Sequence, residues 1–192
     1  MIVYHGSNSN FNTLKVSKSL TKWIEGNNID GITTRYFPSG YQEDTGIYFS
    51  LDEEEAKRYG RYLYMIEIDD KCVKDFTNKV NCNAYLAAIA VDINQKLQIS
   101  LFDYINMAQL SELMYYGKIR ISGIGNEIGL MLESNERFNK IAESKRNRTY
   151  QLLRAWDKKE IQAILFNSPN KKEGIIKKVD KDHMRILGKK KL

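Results

Sequence analysis

The chain has few of the residues that mark specialised protein classes. Among its 192 residues are only 2 Cys and 2 His, too few for a disulfide framework or a well-spaced zinc site, so Cys72 and Cys82 are interpreted as ordinary intracellular thiols. The presence of only 2 Pro and 12 Gly excludes collagenous and low-complexity classes. No apolar run reaches the ~18 residues that a membrane-spanning helix needs, and the first residues do not resemble a signal peptide. These two absences favour a cytoplasmic protein, with secretion by a route that needs no cleaved signal as the open alternative. Because 42% of the residues are apolar, the chain can form a core of its own.

Positive charge is concentrated in the last third of the chain. The net charge is +6, yet residues 137–192 carry 17 Lys and Arg against 6 Asp and Glu, whereas residues 1–136 carry 13 against 18. This asymmetry favours a polyanionic partner, because Lys and Arg neutralise phosphates. One segment interleaves arginines with aromatic residues that could stack on bases: Arg146, Arg148, Tyr150, Arg154 and Trp156. The alternative is a solvated helix with Trp156 in the core, followed by a Lys-rich tail.

Apolar runs near both ends of the chain predict β-strands. The predicted strands are residues 2–4, 45–49, 62–68, 161–166, 174–179 and 184–187. Residues 189–192 are expected to form a frayed tail. Strands at both ends with helices between them predict an α+β fold in which N- and C-terminal strands share one sheet system.

The apolar period becomes helical between about residues 83 and 156. We expect a helical insertion there, within a single domain of residues 1–192. The predicted helices follow apolar stripes at residues 85–97, 101–114, 128–141 and 150–156. A weaker helical pattern covers residues 11–24, and a long polar loop follows at 25–44. The glycine-rich segment Gly123–Gly129 lacks the Lys and the preceding strand of a nucleotide-binding loop, so it is interpreted as an interhelical turn.

Three short segments stand out together. The first is Tyr4-His5-Gly6-Ser7, after the first strand. The second is Gly46-Ile47-Tyr48-Phe49-Ser50, which leads into a helix predicted at 52–59 that Ser50 or Asp52 can cap and in which Ala56 and Tyr59 share a face. The third is Glu173, before an apolar strand that ends in Val179-Asp180. In order and spacing these segments resemble the His-Tyr-Glu motifs of the poly(ADP-ribose) polymerase and diphtheria-toxin group of ADP-ribosyltransferases, over roughly 30 residues.

The resemblance implies a fold and a set of residue roles. The implied fold has split antiparallel sheets that form a cleft for NAD. His5 would bond a ribose hydroxyl, the Gly6 backbone would hold the nicotinamide carboxamide, and Ser7 would contact ribose. Tyr48 and Tyr59 would stack on nicotinamide. Glu173 would hold the ribose 2′-OH and face the acceptor, so Glu173, His5 and Tyr48 are the implied catalytic residues.

Physical chemistry supports such roles. Tyr faces attract a cationic nicotinamide ring. A fixed carboxylate stabilises positive charge that develops on the ribose as the glycosidic bond breaks. Two positions depart from the family pattern, since Glu55 stands where the family usually has Ser and Gly174 where it usually has an aromatic residue.

The implied function is an NAD-dependent mono-ADP-ribosyltransferase. It would transfer ADP-ribose to a macromolecule, with nucleic acid favoured, and release nicotinamide. NAD is the expected donor substrate, with no metal and no membrane partner. The stand-alone format is typical of a bacterial or phage-related toxin or defence effector, with a possible antitoxin or immunity protein as partner. The open alternatives are a protein-directed transferase, an NAD glycohydrolase, a non-catalytic NAD- or nucleic-acid-binding module, and a structural domain whose helical middle binds a protein.

Overall fold

The fold is α+β. The computed structural model describes residues 1–16, 46–118, 123–158, 161–168 and 171–192, which contain seven β-strands and six α-helices. The described residues divide into two compact units. The sheet unit contains the residues up to Thr77 and those from Ile161 onward, and the helical unit contains Asn78 to Lys158.

The sheet unit is built on one mixed sheet. Its strands are β1 (Ile2–Ser7), β2 (Ile47–Ser50), β3 (Tyr62–Ile68), β4 (Val73–Asp75), β5 (Ala163–Ser168), β6 (Lys171–Ile176) and β7 (Met184–Lys191). They lie in the order β4-β5-β6-β2-β1-β3-β7, with β4 and β5 parallel and all other neighbours antiparallel. Strands from the two ends of the chain thus share a sheet, which confirms the α+β prediction.

One face of the sheet carries the main apolar core of this unit. Its central members include Val3, Phe49, Tyr64 and Ile176, all nearly inaccessible to solvent. Burying each such side chain contributes roughly 1.5–3 kcal/mol. The hydroxyl of Tyr64 donates to the Ser9 carbonyl at 2.8 Å, so this phenol has a polar partner inside the apolar cluster.

Helix α1 (Glu53–Lys57) follows β2 as predicted. The Asp52 carboxylate accepts from the backbone amides of Glu54 and Glu55, and the acidic first turn suits the positive end of the helix dipole. The helix lies close to β1, because a Cβ on Gly6 would stand only 2.0 Å from the Ala56 carbonyl oxygen. A side chain at position 6 would therefore separate α1 from the sheet.

Five further helices form the helical unit. They are α2 (Lys79–Leu97), α3 (Met107–Tyr115), α4 (Ile124–Glu133), α5 (Glu136–Asn139) and α6 (Glu143–Lys158). The predicted stripe on α2 is buried at Leu86, Ile89, Ile93 and Leu97. None of the helices in the described ranges is long and apolar enough to cross a membrane.

Two helix predictions near the chain's N-terminus and middle need correction. Residues 11–16 are not helical: the Phe11 ring stacks on Tyr64 at 3.9 Å between centroids, and its backbone amide donates to the Tyr64 hydroxyl. The rest of that predicted helix and the loop at 25–44 lie outside the described residues. The helix predicted at 128–141 is two helices, because Asn135 caps α5 and donates its side-chain amide to the Tyr104 carbonyl.

The interpretation of Gly123–Gly129 as a turn is wrong, since α4 begins at Ile124. Gly123 has a φ of 112°, which suits glycine, and the Asp157 carboxylate accepts from the amides of Gly125 and Asn126 at 2.7 and 2.8 Å. A cap supplied from 32 residues away leaves no local sequence signal.

The predicted frayed tail is also wrong, because β7 extends to Lys191 and pairs with β3. Lys191 lies opposite Tyr62, and the Leu192 amide donates to the Arg61 carbonyl at 2.8 Å. Lys190 and Lys191 are exposed, and Lys189 donates to the side chains of Asn10 and Asn12 at 2.7 and 2.8 Å, so the charge of these lysines does not prevent backbone pairing.

Candidate functional site

The three strands that carry the predicted motifs are neighbours in the sheet. His5 lies on β1, Tyr48 on β2 and Glu173 on β6, and the sheet order places β2 between the other two. Glu173 is directly opposite Ser50, which is in turn opposite Tyr4. Segments separated by more than a hundred residues in sequence thus meet at one place.

Strand alternation groups the side chains by face. Cross-strand partners project from the same face of a sheet, and successive residues project from opposite faces. Tyr48, Ser50 and Glu173 therefore share one face, together with Lys171, two residues before Glu173. By the same rule His5 belongs to the opposite face, and its ring lies 6.0 and 6.1 Å from those of Phe11 and Tyr64.

His5 is joined to β2 through its ring. Nδ1 of His5 lies 2.6 Å from the Tyr48 carbonyl oxygen. A carbonyl only accepts, so neutral His5 must carry its proton on Nδ1, which leaves Nε2 as an acceptor. Burial lowers the pKa of His5 below its ordinary 6.5, although the bond to the carbonyl acts in the opposite sense. At neutral pH the imidazole is therefore uncharged and able to accept a bond from a hydroxyl.

Strands β1 and β2 share a single register pair, Tyr4 with Ser50, in the described part of the chain. The contact between the His5 ring and the Tyr48 carbonyl comes immediately after this pair on β1. Beyond it, Gly6 lies under α1, and Ser7 is half-buried with its Oγ accepting from the Ser9 amide at 3.1 Å. The predicted first motif thus occupies the end of β1 where its pairing with β2 has ceased.

A cluster of charged and phenolic groups surrounds Glu173. The Lys171 ammonium lies 2.6 Å from Glu173 Oε1, 2.8 Å from Glu55 Oε1 and 2.7 Å from the Tyr59 hydroxyl oxygen. Tyr59 in turn donates to Glu55 at 2.9 Å. We call these four residues, Lys171, Glu173, Glu55 and Tyr59, the Lys171 cluster. It joins β6 to the end of α1.

Electrostatics in the Lys171 cluster favours the charged forms of Lys171 and Glu55. Burial tends to lower the pKa of Lys171, but bonds with Glu173, Glu55 and Tyr59 outweigh it and raise the pKa above its ordinary value. The bond from Lys171 is the main reason that the pKa of Glu55 is lowered, with Tyr59 next. Glu173 offers Oε1 to Lys171 at 2.6 Å, and because a carboxylate has several acceptor lone pairs, Oε2 can accept from a ligand hydroxyl.

Glu55 and Gly174, the two positions that depart from the motifs the sequence resembles, both have structural roles. Glu55 is a member of the Lys171 cluster, and its second oxygen also pairs with Arg58 at 3.1 Å. A Cβ on Gly174 would lie 2.1 Å from Phe49 Cζ and 2.5 Å from the Ile164 carbonyl oxygen. An aromatic side chain cannot fit at position 174 in this sheet, because the Phe49 ring already covers it.

Sequence reasoning missed Lys171. The strand was predicted to begin at residue 174, which left Lys171 in a turn, whereas β6 begins at Lys171 itself. A strand that includes residues 171 and 173 places both side chains on one face. That period-two spacing of opposite charges was the available signal.

The basic segment on α6 divides into structural and solvent-facing residues. Trp156 donates from Nε1 to Asp92 at 2.7 Å and packs edge-on against Tyr85, so it serves the helical unit. Arg146 donates to the Asn139 carbonyl at 2.9 Å. Arg148 and Arg154 are exposed. Of the predicted nucleic-acid residues, these two arginines are the exposed ones.

No group of three or more His, Cys, Asp or Glu side chains that could hold a metal ion occurs among the described residues. No protein-family model, curated protein or solved structure matches this chain.

Proposed function

We propose that this protein is an NAD-dependent mono-ADP-ribosyltransferase with an ADP-ribosyltransferase fold. The observation that supports the proposal most is the adjacency of β1, β2 and β6, which carry His5, Tyr48 and Glu173. NAD would bind where β1 and β2 lose their pairing. His5 and Glu173 lie on opposite faces of the sheet, so one ligand can contact both only at an opening between strands. A ligand at this opening can be reached from both faces.

Each residue has a chemical task in this proposal. The neutral imidazole of His5 accepts from a ribose hydroxyl through Nε2. The exposed ring of Tyr59 and the ring of Tyr48 bind the cationic nicotinamide by their faces. Glu173 accepts from the ribose 2′-OH through Oε2 while Lys171 holds Oε1. The Lys171 ammonium lies 2.7 Å from the Tyr59 hydroxyl oxygen and 5.3 Å from the ring centroid, so it sits beyond the hydroxyl edge of the ring and leaves the ring faces to nicotinamide.

The reaction breaks the bond between nicotinamide nitrogen and ribose C1′. Nicotinamide leaves with the bonding electrons as a neutral molecule, and C1′ gains positive charge that the Glu173 carboxylate stabilises. An acceptor hydroxyl or amine then bonds to C1′, and its proton passes to Glu173 or to water. The acceptor is proposed to be RNA or DNA because of the basic last third of the chain.

In the cell, this activity would make the protein a toxin or defence effector. An enzyme that modifies its host's macromolecules needs restraint, so an antitoxin or immunity protein is the expected partner. We place the site on the sheet unit, and the proposal requires no metal.

The decisive experiment supplies labelled NAD to the purified chain with RNA, DNA or cell lysate. The parent should release nicotinamide and label nucleic acid, and Glu173→Gln should lose about 100-fold or more of this activity. Glu54→Gln is the matched control, because Glu54 is an exposed acid on α1 outside the Lys171 cluster. Label found only on protein would indicate that the acceptor is a protein and not a nucleic acid. Release of nicotinamide without labelling of any macromolecule would indicate an NAD glycohydrolase. If the parent releases no nicotinamide with any acceptor, the enzyme proposal is wrong.

A further inference from the structure

One side of α6 presents cations and neutral donors to solvent without an interspersed acid. Its exposed side chains include Ser144, Asn147, Arg148, Gln151, Arg154 and Lys158. These positions recur at three- and four-residue spacing, so they lie along one stripe of the helix. We call this stripe the α6 basic face.

The acidic residues of α6 are placed away from the middle of this stripe. Asp157 accepts from the amides at the start of α4, and Glu143 occupies the first turn, where the helix dipole favours it. In the described part of the chain, Arg148, Arg154 and Lys158 form no ion pair. Charge that is left uncompensated along about 15 Å of helix, at ~1.5 Å per residue, favours an extended polyanion.

An open groove adjoins the α6 basic face. It has a cavity volume of about 90 Å³ that opens to solvent between α4 and α6, and it is lined in part by Asn126, Leu130, Glu133, Tyr150 and Arg154. Leu130 and the Tyr150 ring provide apolar walls, whereas Asn126 and Glu133 provide an amide and a carboxylate. A nucleobase has the matching chemistry, with apolar faces and a rim of donors and acceptors.

Arg154 belongs to both features, so it connects the groove to the α6 basic face. We propose that the helical unit binds single-stranded nucleic acid, with phosphates on Arg148, Arg154 and Lys158 and one base in the groove beside Tyr150. An acidic polypeptide would satisfy the cations but leave the groove without a planar occupant. The proposal concerns binding alone and involves neither NAD nor Glu173, so it stands or falls independently of the transferase.

The phosphate contacts are tested by fluorescence anisotropy with the full chain, without NAD, and labelled RNA and DNA strands of about 12 nucleotides. The triple variant Arg148→Gln/Arg154→Gln/Lys158→Gln should lose at least about tenfold in affinity at low salt, and its salt slope should fall by about 2. The matched control Lys181→Gln/Lys190→Gln/Lys191→Gln removes the same charge from exposed positions of the sheet unit. It should keep the affinity and the salt slope of the parent.

Three outcomes would overturn the proposal. One is an equal loss of affinity in the two triple variants, which would indicate a general charge effect. Another is parent-like binding by the α6 triple variant. The third is equal competition by polyglutamate and by an unlabelled oligonucleotide of the same charge, which would indicate an acidic protein partner.

The base contact is tested with Tyr150→Leu, which keeps an apolar side chain in the groove. This variant should bind the base-containing strand several-fold more weakly, because base stacking on an aromatic ring is worth about 1–3 kcal/mol. It should bind an abasic strand as the parent does. An equal loss for both strands would show that Tyr150 acts on folding and that no base enters the groove.

Discussion

Lys171 brings together two carboxylates that would otherwise repel each other. Its ammonium lies within 2.8 Å of an oxygen of Glu55 and of Glu173, and the side chains of all three are only 16–27% exposed. A partly buried pair of this kind contributes more than a solvated surface pair, yet removal of its cation leaves two poorly solvated anions. Glu55 therefore has a structural reason to be an acid at a position where the resemblance suggests Ser.

Lys171→Met should lower the free energy of unfolding by about 1–2 kcal/mol at neutral pH. Glu55 has a lowered pKa, so its contribution is present above about pH 4.5 and is lost as pH falls through the folded value. Lys171 has a raised pKa, so its contribution is fully present below about pH 10.5. Urea unfolding should show the full effect between these limits and a declining effect as the pH falls further below about 4.5. If the proposed function holds, nicotinamide release should also fall about tenfold or more.

The control for this variant is Lys172→Met, on the next residue and the opposite face of β6, where the side chain is exposed. It removes the same charge without touching Glu55 or Glu173. Equal effects of the two substitutions would contradict the role of Lys171 as the residue that positions Glu173.

His5 should make the free energy of unfolding decrease as the pH falls, whereas the contribution of Lys171 decreases as the pH rises. Its folded pKa is lowered below 6.5, so the unfolded chain binds a proton first as the pH falls. Stability is thus full above about pH 6.5 and declines as pH falls through the folded value. His5→Asn keeps a donor for the Tyr48 carbonyl and does not titrate. Between pH 8 and pH 5, the parent should lose more stability than this variant in matched urea titrations, and parallel curves would contradict the assignment.

At the scale of elements, the sequence pattern predicted those strands and helices whose formation depends on residues close together in the chain. The strand at 62–68 and the helix capped by Asp52 were predicted because alternation and capping act over a few residues. The α4 start was missed because Asp157 caps it from a distant helix. The face that joins Lys171 to Glu173 was missed because the start of β6 depends on pairing with β5.

Close packing of β2 on β6 makes position 174 intolerant of any side chain. Gly174→Ala places a methyl group 2.1 Å from Phe49 Cζ and 2.5 Å from a backbone oxygen, so the strands must move apart. The expected loss is about 1–3 kcal/mol in the free energy of unfolding. Gly188→Ala is the matched strand control, because its Cβ meets Met65 Cε at an ordinary 3.6 Å. We expect a change within about 0.5 kcal/mol for that variant, and equal changes in thermal melts would contradict the packing argument.

At the scale of the whole molecule, the sheet joins the two ends of the sequence. The N-terminal strand β1 pairs with β3, and the C-terminal strand β7 pairs with the other edge of β3. The same arrangement places β6 beside β2, so the residues that resemble the first two motifs and the third become neighbours. The resemblance could be stated from sequence order alone, but the adjacency on which the proposed site depends required the non-local pairing.

The pairing of β7 with β3 can be tested directly at the last four residues. A frayed tail would be dispensable, whereas Lys189, Lys190 and Lys191 lie opposite Tyr64, Leu63 and Tyr62 on β3. Deletion of residues 189–192 removes that backbone pairing, and at about 1 kcal/mol net per hydrogen bond it should cost roughly 2–4 kcal/mol. Amide exchange at Leu63 should accelerate with the deletion, because the first residues of β3 then lose their partner strand on that side.

The charge and the backbone of this segment can be separated with one further variant. Lys189→Gln/Lys190→Gln/Lys191→Gln removes three exposed charges, including the ammonium that donates to Asn10 and Asn12, and keeps every backbone group, so its stability should stay within about 1 kcal/mol of the parent. If the deletion leaves the denaturation midpoint unchanged, the C-terminal lysines do not belong to the sheet. If the glutamine variant loses as much stability as the deletion, the side chains of these lysines and not strand pairing support β3. A loss confined to the deletion would establish that the sheet requires the C-terminal strand for its stability.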